Sequence, residues 1–118
     1  MNAEEIIQTV VEVCRGKKAK DMIALDLRGL STLADFFFLC SAENTRQVNA
    51  VVEETAARLK KAGRRLLRTE GLPEARWVVM DYGSVLVHVF LDEVREHYSL
   101  ETLWGDAPRK EYGHAAGD

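Results

Sequence analysis

Residues 77–90 read WVVMDYGSVLVHVF. Two runs rich in β-branched and aromatic residues flank a Tyr82–Gly83 step, and glycine supplies the positive φ that a two-residue hairpin turn requires. This stretch constrains the fold more than any other, because it commits the chain to an antiparallel pair with two unlike faces. With Tyr82 and Gly83 at the turn, Asp81 lies opposite Ser84, Val79 opposite Leu86, and Trp77 opposite His88, with Phe90 beyond. The other face carries Val78, Met80, Val85, Val87, Val89 and Leu91, and is core. The first face is too apolar for an ordinary solvent face and too polar for a dry core. It is either a partner surface or a face that the C-terminal segment, with Tyr98, Leu100 and Trp104, folds over.

The rest of the chain supplies neighbours for this hairpin. Asn2 caps a first helix and Glu5 completes a capping box. Ile6, Ile7, Val10, Val13 and Cys14 recur at helical spacing, and Gly16 ends the helix. Residues 22–27 alternate as a strand, and DFFFLCS (35–41) is apolar on both faces, as an interior strand is. A longer helix starts at Asn44 or Thr45, turns Val48, Val51, Val52, Thr55, Ala56, Leu59 and Ala62 inward, and stops at Gly63. Residues 65–69 read as a short strand, and Pro73 keeps 70–75 a loop. Asp92 is placed to cap a last helix, DEVREHY, and SLETLW makes a further turn. The order α-β-β-α-β-β-β-α describes one α/β (α+β) domain over residues 1–106, a five-stranded mixed sheet flanked by helices. Residues 107–118 are small, polar and Gly-rich, and are expected to be a disordered tail.

Composition narrows the function. At 118 residues the chain fits one core. Its longest apolar run, Phe36 to Cys40, is far too short to span a bilayer, and MNAEEIIQ lacks a signal-peptide pattern, so the cytoplasm is the expected compartment. Cys14 and Cys40 read as small buried hydrophobes, and a disulfide between them is disfavoured in a reducing setting. The net charge of −3 argues for little direct RNA contact. The local exception is KKAGRRLLR, with Lys60, Lys61, Arg64, Arg65 and Arg68. It is either an RNA-touching patch or a solvated helix end, the commoner fate of charge runs.

Searches for catalytic machinery fail. His88, His97 and His114 have no metal-ligand spacing, and no Cys pair accompanies them, so no metal and no cofactor is expected. There is no G-x-S-x-G and no phosphate-binding glycine loop. Gly83-Ser84 imitates the start of a nucleotidyltransferase signature, but the paired carboxylates that hold its magnesium ions are missing: Asp26 and Asp35 stand alone, and Asp92-Glu93 starts a helix. His88 reads as a hydrogen-bonding residue within the sheet or toward a partner, and an ordinary histidine pKa makes such a contact pH-sensitive.

WVVMDYGSVLVHVF followed by REHYSLETLW resembles the ribosomal silencing factor family, also called Iojap-related. Trp77, Asp81, Tyr82, Gly83, Val87, His88, Phe90, Arg95, Tyr98, Leu100, Glu101, Leu103, Trp104 and Asp106 carry the likeness, and Ser41, Arg46 and Gln47 extend it upstream. The resemblance implies a nucleotidyltransferase-like fold without catalytic carboxylates, and no enzymatic activity. It implies a translation repressor that binds ribosomal protein uL14 on the large subunit and blocks joining of the small subunit, especially under nutrient limitation. A homodimer of the free protein is implied too. The expected partner-binding residues are Trp77, Asp81, Tyr82, His88, Arg95, Glu101 and Trp104. Competing roles are an Asp81 cap on the hairpin, a His88 that orients Trp77, an Arg95–Glu101 ion pair, and packing of the last helix by Trp104.

Overall fold

The computed structural model describes residues 2–113, the Tyr98 side chain excepted. Ten elements follow in chain order: α1 (Ala3–Lys17), β1 (Lys20–Asp26), β2 (Phe36–Ala42), α2 (Thr45–Lys61), β3 (Arg68–Glu70), β4 (Trp77–Asp81), β5 (Val85–Leu91), α3 (Asp92–Tyr98), α4 (Leu100–Leu103) and β6 (Arg109–Tyr112). The helix signals act as their chemistry requires. Asn2 and Glu5 form the reciprocal capping box of α1, and the Asn44 side chain accepts from the Gln47 amide at the start of α2. α1 runs one residue past Gly16 and closes on Lys18 in the left-handed region instead. Asp92 does not cap α3: it lies in the first turn, and its carboxylate pairs with Lys20 at 2.9 Å.

The strands join in the order β3-β4-β5-β2-β1-β6. All neighbours are antiparallel except β2 and β5, which run parallel at the centre with Phe37 beside Leu86 and Leu39 beside His88. The sheet is therefore mixed, as expected, but has six strands rather than five. The extra strand is β6, drawn from the segment expected to be a disordered tail; residues 114–118 lie outside the described part. RKEY shows no apolar alternation, so it forms a strand only because the outer edge of β1 offers it unpaired backbone groups.

The hairpin register also shifts. Asp81 pairs with Leu86, Val79 with His88 and Trp77 with Phe90, so Gly83 and Ser84 make the turn rather than Tyr82 and Gly83. The Tyr82 amide bonds the Val85 carbonyl, and Gly83 takes the positive φ of 85°. A slip of two residues preserves side-chain parity, so both faces keep their expected members.

One face packs against α1 and α2 around Val78, Met80, Val87, Val89, Phe38 and Cys40, all fully buried. Cys14 and Cys40 meet there as free thiols. The opposite face is covered over β5, β2 and β1 by α3, α4 and the chain beyond them. Trp104 sets its ring edge-on to Phe37, with centroids 6.1 Å apart.

Arg95 fastens this cover. The side chain is 8% exposed. Its guanidinium donates to the Asp21 carbonyl on β1, to Ser41 Oγ on β2 at 2.8 Å, and to Glu101 Oε2 at 3.1 Å. Arg95→Ala strips a buried ion pair of one partner and is expected to cost about 3–5 kcal/mol in stability. Arg95→Lys is expected to recover little, since an ammonium lacks the fork that reaches three acceptors. Urea unfolding of both variants measures this; a loss below about 1 kcal/mol for Arg95→Ala means the cover is held by other contacts.

Candidate functional site

The covered sheet face stays open at one end. Phe90 and His88 are buried, whereas Trp77, Val79, Asp81 and Leu86 are half-exposed. The C-terminal segment thus covers the half toward β1, as one of the two expectations had it, and leaves the half toward β3 uncovered.

Trp77 sits where the two halves meet. Its indole stacks on Phe90 at 5.0 Å, with the rings 29° apart. Its Nε1–H donates to His88 Nδ1 at 3.1 Å. Nδ1 must therefore be unprotonated, which fixes His88 as the neutral tautomer with its proton on Nε2. His88 is held in turn by Phe37, ring to ring at 4.6 Å. The loop before β4 presses on the same point. At Gly71, φ is 103°, and a Cβ added there would lie 2.1 Å from the Trp77 carbonyl oxygen. The indole is thus pinned on its polar edge, on one ring face and through its backbone, which leaves little rotamer entropy to lose on binding.

The expected site residues separate into three groups. Trp77 and Asp81 reach the open half. Asp81 also does the local job weighed for it, since its Oδ1 accepts from the Gly83 amide at 2.8 Å. Tyr82, His88 and Arg95 are interior, at 2%, 5% and 7% exposure, and shape the face from beneath. Tyr82 is a core residue beneath the turn, and desolvation pushes its phenol up to about 12. Glu101 and Trp104 belong to the cover, the former as the ion-pair partner of Arg95 and the latter against Phe37.

Sequence reading missed the neighbours of Trp77 on α3. A hollow of about 420 Å³ opens there, lined by Arg76, Trp77, Glu93, Val94 and His97. Glu93 and His97 stand four residues apart on α3 and so share a side of it, a spacing that could have flagged them. Among the described residues no group of three or more His, Cys, Asp or Glu is arranged to hold a metal ion.

His88 does not titrate near neutrality as expected from its type. Burial lowers its pKa to about 4. The unfolded imidazole titrates at about 6.5. Below that pH the unfolded state takes up a proton that the folded state refuses, so stability falls as pH falls from about 6.5 toward 4. The expected loss between pH 6.5 and 5 is about 1.5 kcal/mol, in a window above most carboxylate titrations. Unfolding curves at the two pH values check this, with His88→Phe expected to lack most of the loss.

Comparison with known proteins places this geometry. The profile of the family described as "Ribosomal silencing factor during starvation" matches residues 1–117. The chain is 42% identical over 108 residues to "Ribosomal silencing factor RsfS" of Bacillus subtilis, covering 92% of each chain. It is 41% identical over 111 residues to the protein of the same name from Halalkalibacterium halodurans, covering 94% of this chain and 95% of that one. A crystal structure of a Chromobacterium violaceum protein superposes with a TM-score of 0.85 at 34% identity, covering 99% of this chain and 98% of that one. A match over nearly the whole length, at these identities and with the same fold, makes the chain a member of the ribosomal silencing factor family, whose members are non-enzymatic.

Proposed function

We propose that this protein represses translation by seating the open half of its sheet on ribosomal protein uL14 of the large subunit. Its body then obstructs the small subunit, most of all under starvation. The observation that carries the docking half of this reading is the Trp77 indole, half-exposed yet locked by His88 and Phe90. An obstructing factor needs an attachment point and bulk, not a reaction, and a rigid tryptophan is among the residues most enriched at binding hot spots. Val79 and Leu86 widen the apolar centre, and Asp81 gives it negative charge on a chain of net charge −3. That suits a basic ribosomal protein and discourages stray RNA. The hollow between Trp77 and α3 provides depth for a side chain of the partner.

In the free protein the same half-face is open to a second copy, and a homodimer formed through it must separate before docking. A ribosomal partner and the likeness to bacterial proteins support the cytoplasm as the compartment.

Co-sedimentation with purified large subunits tests the reading. Trp77→Ala is expected to weaken binding about thirtyfold, the cost of removing an aromatic anchor worth about 2 kcal/mol. It should also restore subunit joining followed by light scattering. Trp77→Phe keeps the stack on Phe90 and is expected to fall between, which separates loss of contact from loss of folding. Equal recovery of wild type and Trp77→Ala would remove the indole from the mechanism.

A further inference from the structure

The cationic run Lys60–Arg68 takes no part in the docking just described. In the fold it passes from the end of α2, through a turn at Gly63, onto β3. Lys60, Lys61, Arg65 and Arg68 are exposed and, among the described residues, make no ion pair. Arg58, one turn earlier, is by contrast held by Glu54 at 2.8 Å. The helix dipole accounts for Lys60 and Lys61 in the last turn of α2. It does not account for Arg65 and Arg68, because the effect fades within one turn and they follow the helix end. Protection of an exposed sheet edge calls for charge on β3, and the position opposite Asp81 accounts for a cation at Arg68, but neither accounts for Arg65, which precedes the strand.

Three contacts tie this run to the open half-face. Arg64 donates to the Tyr82 carbonyl at 3.3 Å, the Leu67 amide to the Asp81 carbonyl at 2.8 Å, and Arg68 sits across the strands from Asp81. The run thus leads from the end of α2 to the free edge of β3 and forms a basic rim that meets the docking face where Arg68 lies opposite Asp81.

We propose that this rim binds the phosphate backbone of structured RNA next to the protein docking site. The chain then grips the large subunit by two chemistries, an aromatic-acidic face on protein and a basic edge on RNA. The inference rests on the docking reading, because the docked face decides which phosphates come within reach. RNA fits better than a membrane: the apolar stripe of α2, with Val48, Val51 and Leu59, is fully buried, so α2 has no amphipathic face to lay in lipid, and the run itself offers only Leu67 as an exposed large apolar side chain. The expectation of little direct RNA contact came from a net charge that averages over the whole surface. Here the acidic remainder keeps free RNA binding weak, and docking raises the local phosphate concentration until the rim engages.

The test measures binding of purified large subunits across 50–200 mM potassium salt, and binding of isolated uL14 at one salt concentration. The variant combines Arg65→Glu, which keeps a charged edge, with Arg68→Gln, which spares Asp81 a like-charge neighbour. Losing two phosphate contacts at about 0.7–0.9 of slope each should flatten the log–log salt dependence by about 1.5. Wild type should therefore weaken roughly tenfold more than the variant over that salt range. Binding to isolated uL14 should stay within about twofold, a change too small for a lost contact residue. The pair Lys60→Gln with Lys61→Gln, away from β3, should flatten the slope in the same direction and covers the case of a misfolded strand variant. Parallel slopes for wild type and both variants, or an equal loss on isolated uL14, overturn the basic rim while leaving docking intact. Wild type that fails to sediment with subunits at any salt overturns docking, and the rim with it.

Discussion

The Arg95 guanidinium decides where this protein has a surface. It joins three segments that sequence keeps far apart: the bulge of β1 at Asp21, Ser41 on β2, and Glu101 on α4. These bonds draw α3 and α4 down over Phe37, Leu39 and Phe90 and bury them. An arginine is suited to the position because one planar fork satisfies a carbonyl, a hydroxyl and a carboxylate together. A buried ion pair is weak evidence for net stability, but its geometry is specific. It fastens the cover over one half of the sheet face, and the other half stays open.

Beyond the line, the His88–Trp77 bond turns a half-buried aromatic into a fixed one. A neutral imidazole is needed to accept from the indole, and burial keeps it neutral. Residues with near-zero exposure therefore shape this face from beneath: Tyr82 fills the turn, His88 aims the indole, and Arg95 fastens the cover.

The legible part of the candidate site was the parity of its sheet face. Trp77, Val79, Asp81, Leu86, His88 and Phe90 share that face in the structure as the alternation indicated, although the turn lies one residue further on. A two-residue error in register leaves a period-two pattern intact. The depth of each side chain was not legible, because alternation reports which face a residue joins and says nothing of what packs on that face. His88 and Asp81 look alike in the pattern; one is buried and the other is half-exposed.

The sequence by itself determined the features that arise within a few residues of chain. These are the capping box at Asn2 and Glu5, the cap at Asn44, the left-handed glycine after α2, the interior character of residues 36–40, and the two-faced hairpin. Each follows from backbone hydrogen bonding or side-chain period over one or two turns of chain. Tertiary structure alone decided the parallel pairing of β2 with β5, the capture of RKEY as a sixth strand, the burial of Arg95, and the extent of the cover. Those depend on contacts between segments tens of residues apart, such as Arg95 with Asp21. Their free energy comes from desolvation and from satisfying buried polar groups, and no local pattern encodes it.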